Sequence, residues 1–319
     1  MSRRVQPVPV FHFDGNRVSQ RVEQVCVESP LQILLRIGQG GAAQPLTITM
    51  RTPAETRAER DEDDADLALG FLVGEGLVRS PSEVLAVETP IGDDNSVVVT
   101  LREGVELPTA RLARSFFSTS ACGVCGKSTL DGLISTPSES LRPDWPKVQL
   151  ADLPRLPILL RQAQATFERT GGLHAAALFD ADLRLVALRE DVGRHNAVDK
   201  LMGSRLRAGT LPLHGHILLV SGRASFELVQ KARMACVPVF VAIGAPSSLA
   251  LEVARSAGMT LVGFLRDQRM NVYCGVERLH SGQGPLWRDE EVDDSEDGPA
   301  CQTPSNPAVG RRLPMIPAK

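Results

Sequence analysis

Apolar residues alternate with polar ones along two early stretches of the chain. Between residues 31 and 37 leucine or isoleucine occupies every second position, and Leu46, Ile48 and Met50 repeat the pattern after a glycine-rich run. A period of two is typical of strands that bury one face. The pattern therefore predicts a β-hairpin with a long glycine-rich loop.

A charged run, residues 52–64, follows this hairpin and is expected to form a solvated loop. A helix is predicted from Asp66 onward, because apolar residues then recur three and four positions apart. Its glycines would weaken it in isolation, so we expect another element to pack closely against it. Short strands near 84–88 and 97–101 complete a small α+β unit.

The C-terminal half alternates short apolar runs with helical patterns. Apolar runs at 217–220, 237–243 and 260–264 are separated by helical patterns at 226–234 and 247–257. Such alternation implies parallel strands joined by crossover helices, and ligands of these sheets bind outside the carboxyl ends of the strands. This half is therefore predicted to be an α/β unit with its site at that edge.

These patterns divide the chain into four segments. Residues 1–20 are expected to be flexible, with the first strand beginning at Val22. A small α+β domain is predicted over 21–112, and a larger α/β domain over 113–280. The last segment, 281–319, is acidic and then proline-rich, a composition typical of a disordered tail.

Composition excludes several classes of protein. The 319 residues are 43% hydrophobic and 23% charged, which is ordinary for a globular protein. A net charge of -3 gives no electrostatic case for nucleic acid or anionic lipid. No run of about 18 apolar residues occurs, and the N-terminus has no apolar signal segment. We therefore expect a cytoplasmic protein whose six cysteines remain thiols.

The chain's most reactive chemistry is expected near its middle, in a Cys-x-x-Cys pair. Cys122 and Cys125 are flanked by Gly123 and Gly126 and followed by Lys127. The glycines allow a tight turn that leaves both sulfurs uncovered. The ammonium and the start of a predicted helix both favour thiolate. The segment is therefore predicted to supply a nucleophile.

Three other interpretations of the pair stay open. Half of a zinc site is the strongest, although structural zinc needs four ligands and the chain has no second such pair and no histidines spaced three to five residues apart. A thioredoxin-type redox pair would follow a strand, whereas a loop-like run precedes Cys122. A buried structural pair fits poorly with so many glycine, serine and lysine neighbours.

Polar residues cluster at two further places. One is the strand-to-helix corner at 190–200, where Asp191, Arg194 and His195 are expected to shape the thiol pocket. The other is the carboxyl edge of the predicted parallel sheet, where residues 264–269 follow the third strand. Helix N-termini at this edge favour phosphate, and arginines there can add bidentate contacts, although they can equally be plain surface residues.

Seven motifs, spread over roughly residues 24–279, occur in a recognisable order. They are Met50-Arg-Thr-Pro, Asp66-Leu-Ala-Leu-Gly-Phe-Leu-Val-Gly-Glu-Gly, Cys122-Gly-Val-Cys-Gly-Lys, Thr170-Gly-Gly-Leu-His, Arg189-Glu-Asp-Val-Gly-Arg-His-Asn-Ala-Val-Asp-Lys-Leu, Ser221-Gly-Arg and Phe264-Leu-Arg-Asp-Gln-Arg-Met-Asn-Val-Tyr. In this order they resemble the FdhD family of sulfur carriers required by formate dehydrogenases. The stretch 54–64 is longer and more charged than the family's Thr-Pro-Gly turn.

The resemblance implies a persulfide-forming cysteine in the loop of Cys122 and Cys125. It implies sulfur taken from a cysteine desulfurase and delivered to a molybdenum cofactor of the bis-guanine-dinucleotide type, for a formate dehydrogenase apoenzyme. It also implies a homodimer whose larger domain is related to the cytidine deaminase fold. Combined with the sheet-edge argument, it predicts that the guanine-nucleotide half is bound by Phe264, Leu265, Arg266, Asp267, Gln268 and Arg269. No metal is expected, because the chain offers too few ligands for structural zinc.

Two other functions compete with sulfur transfer. A deaminase needs His-x-Glu followed by Pro-Cys-x-x-Cys, whereas His174 comes after the cysteines and lacks the glutamate. The alternative is a chaperone that binds the molybdenum cofactor or the apo-dehydrogenase and uses its cysteines as zinc ligands, without sulfur transfer.

Overall fold

The computed structural model describes residues 4–105 and 139–282. These residues belong to one compact unit, Met1–Leu286, and the second unit, Trp287–Lys319, lies outside the described residues. The predicted tail, 281–319, therefore lies almost wholly outside them. The domain boundaries stay predictions, whereas the secondary structure within each segment can be compared directly.

The chain begins with a β-hairpin. β1 (Val5–Asp14) pairs antiparallel with β2 (Arg17–Cys26) along all ten residues of each strand. The first strand therefore begins at Val5, and the sequence-based expectation of Val22 and of a flexible start is wrong for this stretch. Prolines in residues 5–14 argue against an internal strand, but β1 is an edge strand, where they are tolerated. The two-residue loop begins with Gly15 at φ 57°, as a tight hairpin requires.

A four-stranded sheet follows, with strand order β4-β3-β6-β5. Its strands are β3 (Ser29–Ile37), β4 (Gln44–Arg51), β5 (Val84–Glu88) and β6 (Ser96–Leu101). The predicted hairpin is confirmed, because β3 pairs antiparallel with β4, while β3 and β6 run parallel. Leu31 and Ile33 on one face pack against Leu67 and Leu72 of α1 (Arg57–Gly74).

Helix α1 begins nine residues earlier than Asp66, so the charged run is not the solvated loop that the sequence predicts. Thr56 accepts from the Glu59 backbone N–H, and the Glu59 side chain accepts from the Thr56 N–H. This capping box was readable as Thr-x-x-Glu. Arg60 and Asp64 within the run are buried, and each is held by an ion pair: Asp64 with the buried Arg51, and Arg60 with the exposed Asp94.

The larger sheet has six strands in the order β13-β12-β11-β10-β8-β9. Strands β10, β11 and β12 are parallel, as predicted, and the outer three strands pair antiparallel with their neighbours. The remaining strands are β7 (Val148–Gln149), β8 (His174–Phe179), β9 (Leu185–Asp191), β10 (Ile217–Val220), β11 (Val239–Ala242), β12 (Thr260–Arg266), β13 (Arg269–Cys274) and β14 (Leu279–His280). The short strands β7 and β14 form a parallel pair of their own.

Within the described residues, five helices accompany this sheet. They are α2 (Leu156–Ala163), α3 (Ala165–Thr170), α4 (Arg194–Arg207), α5 (Phe226–Met234) and α6 (Ser248–Ser256). The sequence predicts one helix near 157–169, but the backbone breaks at Gln164 and divides it into α2 and α3. Among the described residues, no helix combines the length and the hydropathy needed to cross a membrane.

Helices α1 and α4 join the two sheets by crossing at glycines. A Cβ atom at Gly70 would lie 1.7 Å from the Asp199 carbonyl oxygen, and one at Gly203 would lie 1.8 Å from that of Asp66. No side chain fits at either position, so the two backbones are in direct contact. The close packing expected at the glycines of α1 is confirmed, and it brings α4 against the N-terminal sheet.

Candidate functional site

The predicted nucleophiles, Cys122 and Cys125, lie outside the described residues. Of the cysteines that the structure describes, Cys236 and Cys274 are poor nucleophiles: burial raises the pKa of the Cys236 thiol to about 11 and also raises that of Cys274. Cys26 donates a hydrogen bond to Thr170 Oγ1 at 2.9 Å. A thiol above its ordinary pKa carries little thiolate at neutral pH, so Cys236 and Cys274 are poor candidates for the reactive thiol, and Cys122 and Cys125 stay the predicted ones.

The carboxyl ends of the parallel strands lie side by side at one edge of the larger sheet. The Gly244 N–H, just beyond β11, donates to the Gly222 carbonyl at 3.0 Å, and the N–H of Phe264, near the end of β12, donates to the Gly244 carbonyl at 3.1 Å. His174, at the start of β8, is paired in register with Asp191 at the end of β9. The three loops predicted to meet at this edge are therefore in contact.

The segment 264–269 is a strand end and a hairpin turn, not a loop leaving the sheet. β12 continues to Arg266, the turn is Asp267 and Gln268, and β13 starts at Arg269, which is the register partner of Arg266. This differs from the prediction because the third strand was expected to end at Phe264. The two arginines are exposed beside each other at the sheet edge.

The other predicted nucleotide contacts differ in accessibility. Leu265 is fully buried in the core, so its side chain does not face a ligand. Phe264 is half-buried and has φ 54°, a left-handed conformation that bulges the strand between Gly263 and Arg266. Asp267 also has φ 54°, and both it and Gln268 are exposed. The turn therefore places the polar side chains of Asp267 and Gln268 at the solvent-exposed edge of the sheet.

His174 and Arg194 meet at Gly222. A Cβ atom at Gly222 would lie 3.7 Å from His174 Nδ1 and 3.8 Å from Arg194 Cδ. Burial lowers the pKa of His174, and the charge of Arg194 lowers it further. His174 is therefore a neutral imidazole near pH 7. The Arg194 Nε is buried and has no hydrogen-bond partner among the described residues.

Glu227, which sequence reasoning missed, accompanies His195. Its Oε2 lies 3.8 Å from His195 Nε2, an ion-pair distance, and it occupies the first turn of α5. Burial alone would raise the pKa of this carboxyl, but its interactions with His195, its own backbone N–H and Ser225 outweigh burial and lower the pKa to about 2. The signal for it was an acidic residue at the start of a predicted helix.

Asp191 does not face a ligand, although the sequence places it in the predicted thiol pocket. It is fully buried, and its Oδ1 accepts from the Gly193 N–H at 2.8 Å and from Asn196 Nδ2 at 2.9 Å. Its Oδ2 accepts from the Thr52 N–H at 3.1 Å and lies 2.8 Å from Lys200 Nζ. Asp191 therefore fixes the corner from which Arg194 and His195 extend.

Lys200 completes this buried network. Its ammonium also donates to Asp63 Oδ2 at 2.5 Å and to the Thr52 carbonyl at 3.1 Å. Burial opposes the charged ammonium, but Asp191 and Asp63 outweigh it and raise the pKa of Lys200. The network links the end of β4 and the first turns of α1 to the corner. No local pattern predicts it, because Thr52 is 139 residues from Asp191 and Asp63 is 137 residues from Lys200.

A family model described as the FdhD/NarQ family matches residues 28–280. The chain belongs to the FdhD/NarQ family. A curated relative in Streptomyces avermitilis, named sulfur carrier protein FdhD, is 47% identical over 288 residues, which cover 88% of this chain and 97% of the relative. A relative of the same name in Mycobacterium tuberculosis is 43% identical over 280 residues, covering 85% and 96%.

A solved structure supports the fold. It is described as a formate dehydrogenase accessory protein from Desulfotalea psychrophila, and it matches with a TM-score of 0.63 over 86% of this chain and 99% of its own. At 20% identity the likeness concerns the fold alone. The family resemblance drawn from the seven motifs is thus confirmed by the family model and by the relatives.

Proposed function

We propose that this chain is a sulfur carrier that holds sulfane sulfur as a persulfide on Cys122. The observation that carries the proposal is its 47% identity, over 88% of the chain, to a protein named sulfur carrier protein FdhD. The donor is a cysteine desulfurase in the cytoplasm, and the acceptor is the bis-guanine-dinucleotide molybdenum cofactor of a formate dehydrogenase. Cys125 assists release or stabilises the loop, and the carrier works as a homodimer.

The loading step needs only a thiolate and a donor persulfide. The Cys122 thiolate attacks the outer sulfur of the donor's persulfide and forms a new S–S bond. The donor's own S–S bond breaks, and its cysteine leaves as a thiolate with the electron pair. The step consumes no oxidant or reductant, and the outer sulfur keeps its proton.

Zinc and sulfur measured on one sample separate this proposal from the zinc-containing chaperone. The purified chain is incubated with a cysteine desulfurase and cysteine, and then analysed for zinc and for sulfane sulfur. Sulfur transfer predicts about one sulfane sulfur per chain without stoichiometric zinc, because a cysteine bound to zinc is not free to attack. Stoichiometric zinc without sulfur uptake would instead support the chaperone.

The relation of the larger domain to the cytidine deaminase fold stays a prediction.

The sheet edge suits the guanine-nucleotide half of the cofactor. Exposed Arg266 and Arg269 supply adjacent cations for a diphosphate, and Phe264 offers part of a ring face to a purine. Gly222 and Gly244 have no side chains to block the neighbouring space. The buried Nε of Arg194 has no hydrogen-bond partner among the described residues and is free to donate to a ligand. We therefore propose that these residues hold the nucleotide, with Asp267 and Gln268 providing polar groups at the turn.

Replacing either arginine should weaken nucleotide binding. A charge-assisted hydrogen bond contributes about 1.5–3 kcal/mol, so Arg266→Ala and Arg269→Ala should each raise the Kd for GDP by roughly ten- to a hundredfold. Calorimetric titration measures this. Arg184→Ala is the matched control, because Arg184 is an exposed arginine near the hairpin turn at the opposite edge of the same sheet. Unchanged affinity in both edge variants, with the native chain binding GDP, would move the site elsewhere.

A further inference from the structure

Three arginine side chains gather around one buried carboxylate near the C-terminal end of α4. The Asp66 side chain is only 1% exposed, and its carboxylate accepts from Arg189 Nη2 and from Arg207 Nε, both at 2.9 Å. Arg205 has no ion pair among the described residues, and its described side-chain hydrogen bond joins its Nε to Ser204 Oγ at 3.3 Å. We call Arg189, Arg205 and Arg207 the arginine cluster.

The cluster carries more positive charge than the neighbouring carboxylates offset. Besides the buried carboxylate, Glu62 lies 3.9 Å from Arg207 Nη2 and is 70% exposed. Asp63 is already paired with Lys200. Burial lowers the pKa of Arg205, and the charge of a neighbouring arginine lowers it further. Because an arginine stays protonated at neutral pH, the charge of Arg205 is only partly compensated within the described residues.

The position of the cluster favours carboxylates over phosphate. Arg205 and Arg207 lie in the last turn of α4, where the backbone carbonyls give the helix end a partial negative charge. A phosphate group carries about two negative charges and is favoured at the opposite end of a helix. Singly charged carboxylates, each forming a bidentate pair with one planar guanidinium, suit a set of separated arginines better.

Exposed apolar side chains near the cluster indicate a protein partner. Leu185 and Val186, at the start of the strand that carries Arg189, are each 40% exposed. Arginines beside exposed apolar side chains are typical of protein interfaces. A free carboxylate would gain nothing from the apolar side chains, whereas a peptide can cover them.

We propose that the arginine cluster binds an acidic peptide segment of a partner protein, whose carboxylates pair with the guanidiniums. The cluster is separate from the sheet edge proposed to hold the nucleotide. Helix α4 has 14 residues and is therefore about 21 Å long, so its last turn lies far from Arg194 at its start. The assignment does not depend on sulfur transfer.

Peptide binding by variants of the cluster tests this proposal. A fluorescently labelled octapeptide of alternating glutamate and leucine is titrated with the full chain, and the anisotropy gives the Kd. Arg205→Gln should raise the Kd about tenfold, because it removes one charge-assisted contact while the ion pairs of Asp66 remain. Arg155→Gln is the matched control with an unchanged Kd, since Arg155 is exposed and paired with Asp152 beside the other face of the sheet.

Three results would overturn the proposal. The first is a native chain that does not bind the glutamate peptide, or that binds a glutamine–leucine peptide equally well. The second is an Arg205→Gln chain that binds as tightly as the native chain. The third is displacement of the peptide by inorganic phosphate at an ionic strength where sodium chloride leaves it bound, which would identify a phosphate site instead.

A crosslinking measurement on the native chain covers the case in which the variant does not fold. The glutamate peptide carries a photoreactive group, and the crosslinked residues are identified by mass spectrometry after digestion. Crosslinks are expected within 184–189 and 202–209. Crosslinks at 264–269 would show that the peptide binds the arginines of the sheet edge, and they would refute the assignment to the arginine cluster.

Discussion

Replacing Cys122 with alanine is expected to abolish persulfide loading. The native chain, incubated with a cysteine desulfurase and cysteine, should gain the mass of one sulfur atom, and the Cys122→Ala chain should gain none. The reason is that only a thiolate attacks the donor persulfide, and Lys127 and the helix start that the sequence predicts after Cys122 both favour a thiolate. Intact-protein mass spectrometry under non-reducing conditions measures the difference.

The buried cysteines provide the matched controls for this experiment. Cys236→Ala should load as well as the native chain, because a thiol with a pKa of about 11 is thiolate in only about one molecule in a thousand near pH 8. Cys274, whose pKa is also raised by burial, should behave in the same way. If Cys122→Ala still gained sulfur, or if Cys236→Ala lost it, Cys122 would not be the carrier of the persulfide.

Local patterns in the sequence identified most of the regular structure. The alternation between residues 31 and 50 predicts the hairpin of β3 and β4, and the apolar runs from 217 to 264 predict the three parallel strands. Both succeed because each strand buries residues that are close in sequence. The start of α1 was missed although its capping box was present, since eight charged side chains between 55 and 64 were interpreted as solvated. Charge alone does not determine burial when partners come from distant segments.

The candidate site is also predictable only where local patterns determine it. The carboxyl edge of the parallel strands and its exposed arginines were predictable, because strand order and crossovers follow general rules. The buried state of Asp191 was not, since its partners Thr52 and Lys200 come from a strand end 139 residues away and from the next helix. The sequence predicts Leu265 as a ligand contact, whereas its side chain is in the core. The apolar pattern does not reveal the bulge at Phe264 that directs Leu265 inward.

Removing the ammonium of Lys200 is expected to destabilise the fold strongly. Lys200→Met keeps most of the side-chain volume but removes the ammonium that Asp191, Asp63 and the Thr52 carbonyl share, so the two carboxylates lose their cationic partner. Breaking a buried ion pair in this way costs about 3–5 kcal/mol. The midpoint of urea unfolding should fall accordingly, with an unchanged slope if the native fold is retained.

The pH dependence and two further variants test whether the loss of stability comes from the ion pairs of Lys200. The pKa of Lys200 is raised above 10.5 in the folded chain, so its stabilisation is fully present below that pH and is lost as the pH rises through the folded value. The loss in Lys200→Met should therefore be constant near neutrality. Arg184→Ala, which breaks an exposed ion pair with Asp182, should cost at most about 1 kcal/mol. Adding Asp191→Asn to Lys200→Met should recover part of the stability, because one uncompensated charge disappears. A loss for Lys200→Met no larger than that of the surface pair would mean that this network does not hold the corner of Arg194 and His195.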